Sequence, residues 1–270
     1  MQQLSGFQSF ITTWFEQNGR HTLPWRTSHT PYEVLISELM LQQTQVQRVI
    51  PKYTAFLKRF PTVQSLAEAK QSEVLLYWQG LGYNRRAQYV HLCAQSVCQK
   101  FAGTFPRTHD ELIALPGVGE YTANALRAFA YSEPITLIET NIRAVFLYHF
   151  FPEQEKVSDA ELLPHIAREV LTENPRLWYS ALMDYGSYLK QVLPNPSRKS
   201  KHHSKQSTFK GSLRQVRGEV IRLLLTRPQM TEQELHATMT ADTHHLTAAL
   251  KQLCSENLIY SSEKGYTLAS

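Results

Sequence analysis

Over its first 190 residues the chain shows almost no period-two alternation of apolar and polar residues. Its apolar side chains recur instead at the three-to-four spacing of helices. Residues 32–49 place Val34, Leu35, Leu39 and the run 41–46 on one broad apolar face, and residues 66–78, 87–101, 112–115, 122–129 and 159–171 repeat the pattern. The punctuation between them is short: Phe60-Pro61, Gly80-Leu81-Gly82, Phe105-Pro106, Pro116-Gly117 and Phe151-Pro152. Residues 1–195 are therefore expected to form a helical domain. With 42% hydrophobic residues the chain is not a disordered one, and 270 residues allow one large domain or two unequal ones. No internal period of 20–50 residues points to a solenoid.

The composition then changes. Residues 193–209 read LPNPSRKSKHHSKQSTF, and residues 198–217 carry seven Lys/Arg with no Asp/Glu. A basic linker over 196–211 follows, either a solubilising spacer or a flexible arm that contacts phosphates. Beyond it, residues 212–225 form an amphipathic pattern, Thr231-Glu232-Gln233-Glu234 is a capping box, and 243–257 is a third helical stretch. Leu258-Ile259-Tyr260-Ser261 and Tyr266-Thr267-Leu268 flank Ser262-Glu263-Lys264-Gly265, a hairpin signal. Three helices and a hairpin give residues 212–270 the order of a winged-helix-like α+β domain on a mainly α protein. A winged helix puts its third helix in the major groove. Here TADTHHLTAALKQLCSEN offers only Lys251 as a full cation, so DNA reading and protein contact or packing both stay open.

Lys and Arg exceed Asp and Glu by 28 − 23 = 5, which favours a polyanionic partner. Three cysteines, Cys93, Cys98 and Cys254, are too few for a disulfide framework or a four-thiolate metal site. The opening MQQLSGFQSF has neither the basic nor the apolar region of a signal peptide, and runs such as AVFLYHFF fall far short of a membrane span. A soluble, cytoplasmic protein without membrane partners is expected.

The most specific string is Leu115-Pro116-Gly117-Val118-Gly119, with Thr108-His109-Asp110-Glu111 before it and Tyr121-Thr122-Ala123-Asn124-Ala125 after. Thr108 and Glu111 cap a short helix that Pro116-Gly117 breaks. The glycines leave backbone N–H groups of Gly117, Val118 and Gly119 facing outward at the next helix start, which suits a phosphate. Residues 108–130 resemble the helix-hairpin-helix of DNA repair glycosylases. Leu23-Pro24-Trp25-Arg26, Ser37-Glu38-Leu39-Met40-Leu41-Gln42-Gln43-Thr44-Gln45-Val46 and Gly80-Leu81-Gly82-Tyr83 extend the resemblance to adenine DNA glycosylases of the MutY type over residues 7–190.

The resemblance implies a two-lobed helical glycosylase fold and a monofunctional enzyme of base excision repair. Its implied partner is double-stranded DNA containing a mismatch or an oxidised base, met as a monomer at the nucleoid, with adenine opposite 8-oxoguanine or guanine as the target. Another mismatched or damaged base, or lesion binding without catalysis, are the alternatives. Hydrolysing an N-glycosidic bond needs an acid for the departing base and an anion beside the developing oxocarbenium. Glu38, inside an apolar helix face that favours the protonated carboxyl, is implied to be the acid. Tyr121 stands where strand-cleaving relatives carry a Schiff-base lysine; a phenol forms no imine but can hydrogen-bond. Gln42 and Tyr83 are implied to enter the base stack, with Thr44 close by. Leu23, Trp25 and Arg26 are implied to line the base pocket, with Asp184 against the adenine edge. Main-chain carbonyls of Ile113, Leu115 and Val118 are implied to hold Na+ or K+ at the hairpin.

The sequence also departs from the pattern. In Ile138-Glu139-Thr140-Asn141, Glu139 replaces the family's second catalytic Asp, one methylene longer, while Asn141 matches its partner Asn. Displacement by about an ångström can cost about 100-fold in rate. Many relatives carry four cysteines for a [4Fe–4S] cluster after the Met183-Asp184 stretch; residues 187–198 have none, and Lys190 takes the first position. No cluster is expected, and the large domain that reads 8-oxoguanine in such relatives is not recognisable here.

Overall fold

A computed structural model describes residues 4–203, 208–239 and 243–269. The helical period is realised as α1 (Gly6–Asn18), α2 (Pro31–Leu41), α3 (Val46–Arg59), α4 (Val63–Ala67), α5 (Gln71–Trp78), α6 (Arg85–Phe101), α7 (His109–Ile113), α8 (Glu120–Phe129), α9 (Thr140–Phe150), α10 (Asp159–Arg168) and α11 (Pro175–Val192). Ser5, Thr62 and Thr108 cap α1, α4 and α7 through their side-chain oxygens, satisfying N–H groups that a helix start leaves open. The apolar run expected over 32–49 is two helices. Gln43 adopts φ +52 between α2 and α3, and the turn puts residues 42–45 at the surface instead of in a core face.

The C-terminal part is α12 (Leu213–Thr226), β1 (Gln229–Met230), α13 (Glu232–Thr238), α14 (Thr243–Ser255), β2 (Ile259–Ser262) and β3 (Gly265–Leu268). The capping box Thr231/Glu234 opens α13. The hairpin pairs Ile259 with Leu268 and Ser262 with Gly265, and β1 adds a third antiparallel strand in the order β1-β3-β2. Gly265, at φ +114, lies so close to Met230 O that an added Cβ would stand 2.5 Å from it. Residues 240–242, at the start of the stretch for which DNA reading and protein contact both stay open, lie outside the described residues.

Two compact units result. The first is Met1–Leu35, Arg107–Ala114 and Val118–Lys205; the second is Ile36–Pro106, Leu115–Gly117 and Gln206–Ser270. The first is built on Ile11, Phe15, Ile142, Phe146, Ile166, Trp178 and Leu182 from α1, α9, α10 and α11, all buried. The second buries Phe56, Phe60, Trp78, Val90 and Val97 in its helical part and Val220, Leu224, Leu250 and Leu253 between α12 and α14. Residues 212–270 thus share a unit with residues 36–106. Gln88 Nε2 donates to Glu256 O at 2.7 Å and Gln71 Nε2 to Asn257 O at 3.1 Å.

The start of the expected basic linker is also folded. Pro196–Lys199 is a 3-10 turn with Pro196 and Ser197 buried, and Lys201 N and Val157 N exchange backbone bonds with Val157 O and Lys199 O at 2.9 Å. The backbone groups of a polar segment found partners there despite its side chains. Residues 204–207 lie outside the described residues.

Candidate active site and nucleic-acid interface

In the second unit, Glu38 sits on α2 at 9% exposure, among Leu35, Ile36, Leu39 and Met40, each at 2% or less. One turn later Gln42 N donates to Glu38 O at 3.2 Å, and the helix ends. The carbonyls freed by that ending meet one side chain. Arg86, 8% exposed on α6, donates to Leu39 O, to Met40 O at 3.2 Å and to Gln42 O at 2.7 Å through Nη1. Its Nη2 reaches Thr44 Oγ1, Leu81 O and Gly82 O, each at 3.2 Å. A guanidinium offers five donors in a fixed fork, so one residue terminates α2 and ties the 42–44 turn to the 81–83 turn. Burial pushes the Arg86 pKa down to about 10, still charged at neutrality. Sequence reasoning missed it. Its signal is position: residues 86, 90, 93 and 97 form one helical face, on which Arg86 is the lone cation among Val90, Cys93 and Val97.

Gln42 and Tyr83 therefore come together on adjoining turns, with Thr44 anchored below them. Tyr83 holds φ +49, an outlier for an aromatic residue, and its hydroxyl donates to Gln43 Oε1 at 2.5 Å. The Arg86 guanidinium carbon lies 5.2 Å from its ring centroid.

In the first unit Glu139 is the N-cap of α9. Its Oε1 accepts from Asn141 N at 2.7 Å and Ile142 N at 2.9 Å, and its Oε2 accepts from Asn141 Nδ2 at 3.2 Å. These donors fix the carboxylate, and the positive end of the α9 dipole favours its charge. Behind it, Gly186 of α11 approaches α9 so closely that a Cβ would lie 2.2 Å from Asn141 O. Tyr121, half-buried at the start of α8, packs against the apolar cluster of this unit.

Asp184 is 3% exposed and is bound on both oxygens: Oδ2 accepts from Arg20 N at 2.8 Å, and Oδ1 from Arg20 Nε at 2.9 Å and Arg26 Nη2 at 3.0 Å. Arg26 Nη2 also lies 3.4 Å from Ser180 O. The carboxylate thus fastens the Leu23–Arg26 segment, a 3-10 turn over Pro24–Arg26 with Leu23 buried and Trp25 half-buried, to α11. Its oxygens face arginines rather than an open pocket.

In the hairpin, Thr108 caps α7, Gly117 turns the chain at φ +75, and Gly119 stands at the α8 N-cap, where it offers no side-chain cap. Val118 is buried at 5% and Gly119 exposed. A Cβ at Gly117 would lie 2.4 Å from that of Tyr89, so glycine is required by space as well as by φ.

The end of α11 and the residues after it, 187–198, do not fit an iron–sulfur cluster. They supply no thiol, and Lys190 Nζ lies 3.5 Å from Thr140 Oγ1. Cys93, in the other unit, is a core thiol whose pKa burial pushes up to about 12, the opposite of a ready thiolate ligand. Among the described residues no cluster of His, Cys, Asp and Glu could hold a metal ion, and no helix is long and apolar enough to cross a membrane.

The chain belongs to the HhH-GPD superfamily of base excision DNA repair proteins, whose model matches residues 36–251. It is 29% identical to the adenine DNA glycosylase of Mycobacterium tuberculosis, over 94% of this chain and 90% of that one. It is 41% identical to that of Buchnera aphidicola (subsp. Baizongia pistaciae) over 53% of this chain and 41% of the relative, so the matched part spans about two fifths of that protein. Among solved structures, a thermostable thymine-DNA glycosylase superposes with TM-score 0.59 and 25% identity, over 67% of this chain and 84% of that one. A non-covalent endonuclease III–DNA complex superposes with TM-score 0.52 and 18% identity, over 76% and 87%.

Proposed function

We propose that the chain is a monofunctional DNA glycosylase of base excision repair that removes adenine mispaired with 8-oxoguanine or guanine. Glu38 carries the reading: a carboxyl buried on an apolar helix, in a chain similar to proteins named adenine DNA glycosylases. The target nucleotide leaves the duplex, with Gln42 and Tyr83 filling the stack and Leu23, Trp25 and Arg26 bounding the base. Asp184 acts here by holding that segment in place. Glu38 gives its proton to the purine as the C1′–N9 bond breaks and the bonding pair stays with the base. The Glu139 carboxylate, oriented by Asn141, faces the positive sugar. Water adds its oxygen to C1′, and its proton returns to Glu38. Tyr121 in place of a lysine leaves no amine for strand cleavage at that position.

Phosphates meet the N–H groups of Gly117, Val118 and Gly119. The carbonyls of Ile113, Leu115 and Val118 hold a monovalent cation there, and the enzyme works as a monomer without an iron–sulfur cluster. A second reading, with thymine as the excised base, is favoured by the likeness to a thymine-DNA glycosylase. A single-turnover panel of mismatched duplexes, developed with alkali to cut abasic sites, decides between them. The proposal expects release of adenine opposite 8-oxoguanine and guanine; release confined to thymine selects the second reading.

A further inference from the structure

A cavity of about 530 Å³ opens in the second unit beside Tyr83, within the size range of small-ligand pockets. Gln42, Tyr83, Arg85 and Tyr89 line one side; Arg214 of α12 and Gln252 of α14 line the other. Arg214 Nη1 donates to the Tyr83 hydroxyl. The Arg214 guanidinium carbon lies 5.0 Å from the Tyr83 ring centroid and 5.4 Å from that of Phe209. Together with Arg86, it places guanidinium groups around a tyrosine held at positive φ. Such an arrangement persists only where the surroundings enforce it.

The enforcement is built in. Gln88 and Gln71 hold the two residues that follow α14 by their backbone carbonyls. Arg217 joins α12 to Glu256 at 2.5 Å, with both side chains under a fifth exposed. The C-terminal part is thus fastened where it brings Arg214 to the residue proposed to enter the base stack.

We infer that Arg214 and Tyr83 form a composite reader for the base opposite the excised one, selective for a carbonyl-bearing purine, guanine or its 8-oxo form. This rests on the glycosylase reading above. An aromatic ring supplies a stacking face for any base, and the guanidinium fork supplies the selection. It matches the O6 and N7 acceptors of guanine as a fork; in the oxidised base, where N7 carries a proton, one arm still finds a carbonyl acceptor at O6 or O8. Cytosine presents an amino donor on its major-groove edge, which a guanidinium cannot accept. The C-terminal part then supplies the opposite-strand contact.

The test compares wild type, Arg214→Ala, Arg214→Lys and Tyr83→Phe on duplexes with adenine opposite 8-oxoguanine, guanine or cytosine. Single-turnover release is measured beside equilibrium binding by anisotropy, with a non-hydrolysable 2′-fluoro adenine nucleotide, and circular dichroism checks folding. Wild type should favour the two purines over cytosine. Arg214→Ala should lose about tenfold or more of that ratio. Lysine, lacking the fork, should not restore it, and Tyr83→Phe, which keeps the ring but loses the Arg214 bond, should lose part of it. A ratio retained within twofold in Arg214→Ala, or already flat in wild type, overturns the inference. If no duplex releases adenine, the glycosylase reading fails, and the binding ratio still decides the role of Arg214.

Discussion

At the scale of single residues, Glu139 shows how a one-methylene departure is absorbed. Read from sequence, the longer side chain raises the question of a displaced carboxylate; in the fold it bends back onto the first turn of α9 and becomes the cap. Glu139→Gln keeps one acceptor oxygen, so unfolding should shift by only about 1 kcal/mol while base release falls by two orders of magnitude or more. Glu139→Asp, charged and a better cap, should retain activity. Paired denaturation and single-turnover measurements check this; equal rates for wild type and the Gln variant would remove Glu139 from the reaction. Asp184 shows the converse. Its string was legible, but nothing in the sequence says that Arg20 and Arg26 converge on it from more than 150 residues away.

Elements were legible where local chemistry defines them and not where a distant side chain does. The capping boxes, the glycine hairpin and the β2–β3 turn are written in contiguous residues. The break between α2 and α3 is not, because its cause is Arg86, over 40 residues downstream, and the two-residue β1 is too short to carry a pattern. Arg86→Met should therefore leave buried carbonyls unpaired and cost about 3 kcal/mol or more in chemical denaturation, together with duplex affinity. A loss under 1 kcal/mol would show that the clamp is dispensable. In the first unit, Arg143 holds α9 to α10 by a two-point bond to Asp159 at 2.7 and 2.6 Å. The Arg143 hydrogen bond holds the Asp159 carboxyl below its ordinary value. Its stabilisation is then complete above the ordinary carboxylate range and is lost as pH falls through the lowered value. Asp159→Asn should cost about 1 kcal/mol at pH 7 and progressively less as pH falls below the ordinary carboxylate range. A pH-independent difference in denaturation midpoint would refute that linkage.

At the scale of the whole molecule, periodicity gave the helical class and the motifs gave the family. The grouping of residues 206–270 with 36–106 rests on pairs such as Gln88 and Glu256, which no local pattern announces. Lys190 at the first cluster position and the absence of cysteine from 187–198 lead to a further expectation. Anaerobically purified protein should carry no stoichiometric iron and no absorption band near 400 nm; either one would contradict it.

On this reading everything turns on Glu38, which supplies the proton for base release. Single-turnover release of adenine opposite 8-oxoguanine, measured side by side for wild type and Glu38→Gln with duplex affinity in parallel, tests it most directly. Wild type should release adenine, the variant none detectable, and their affinities should lie within a few fold of each other. Release by Glu38→Gln at a rate near that of wild type would contradict that role.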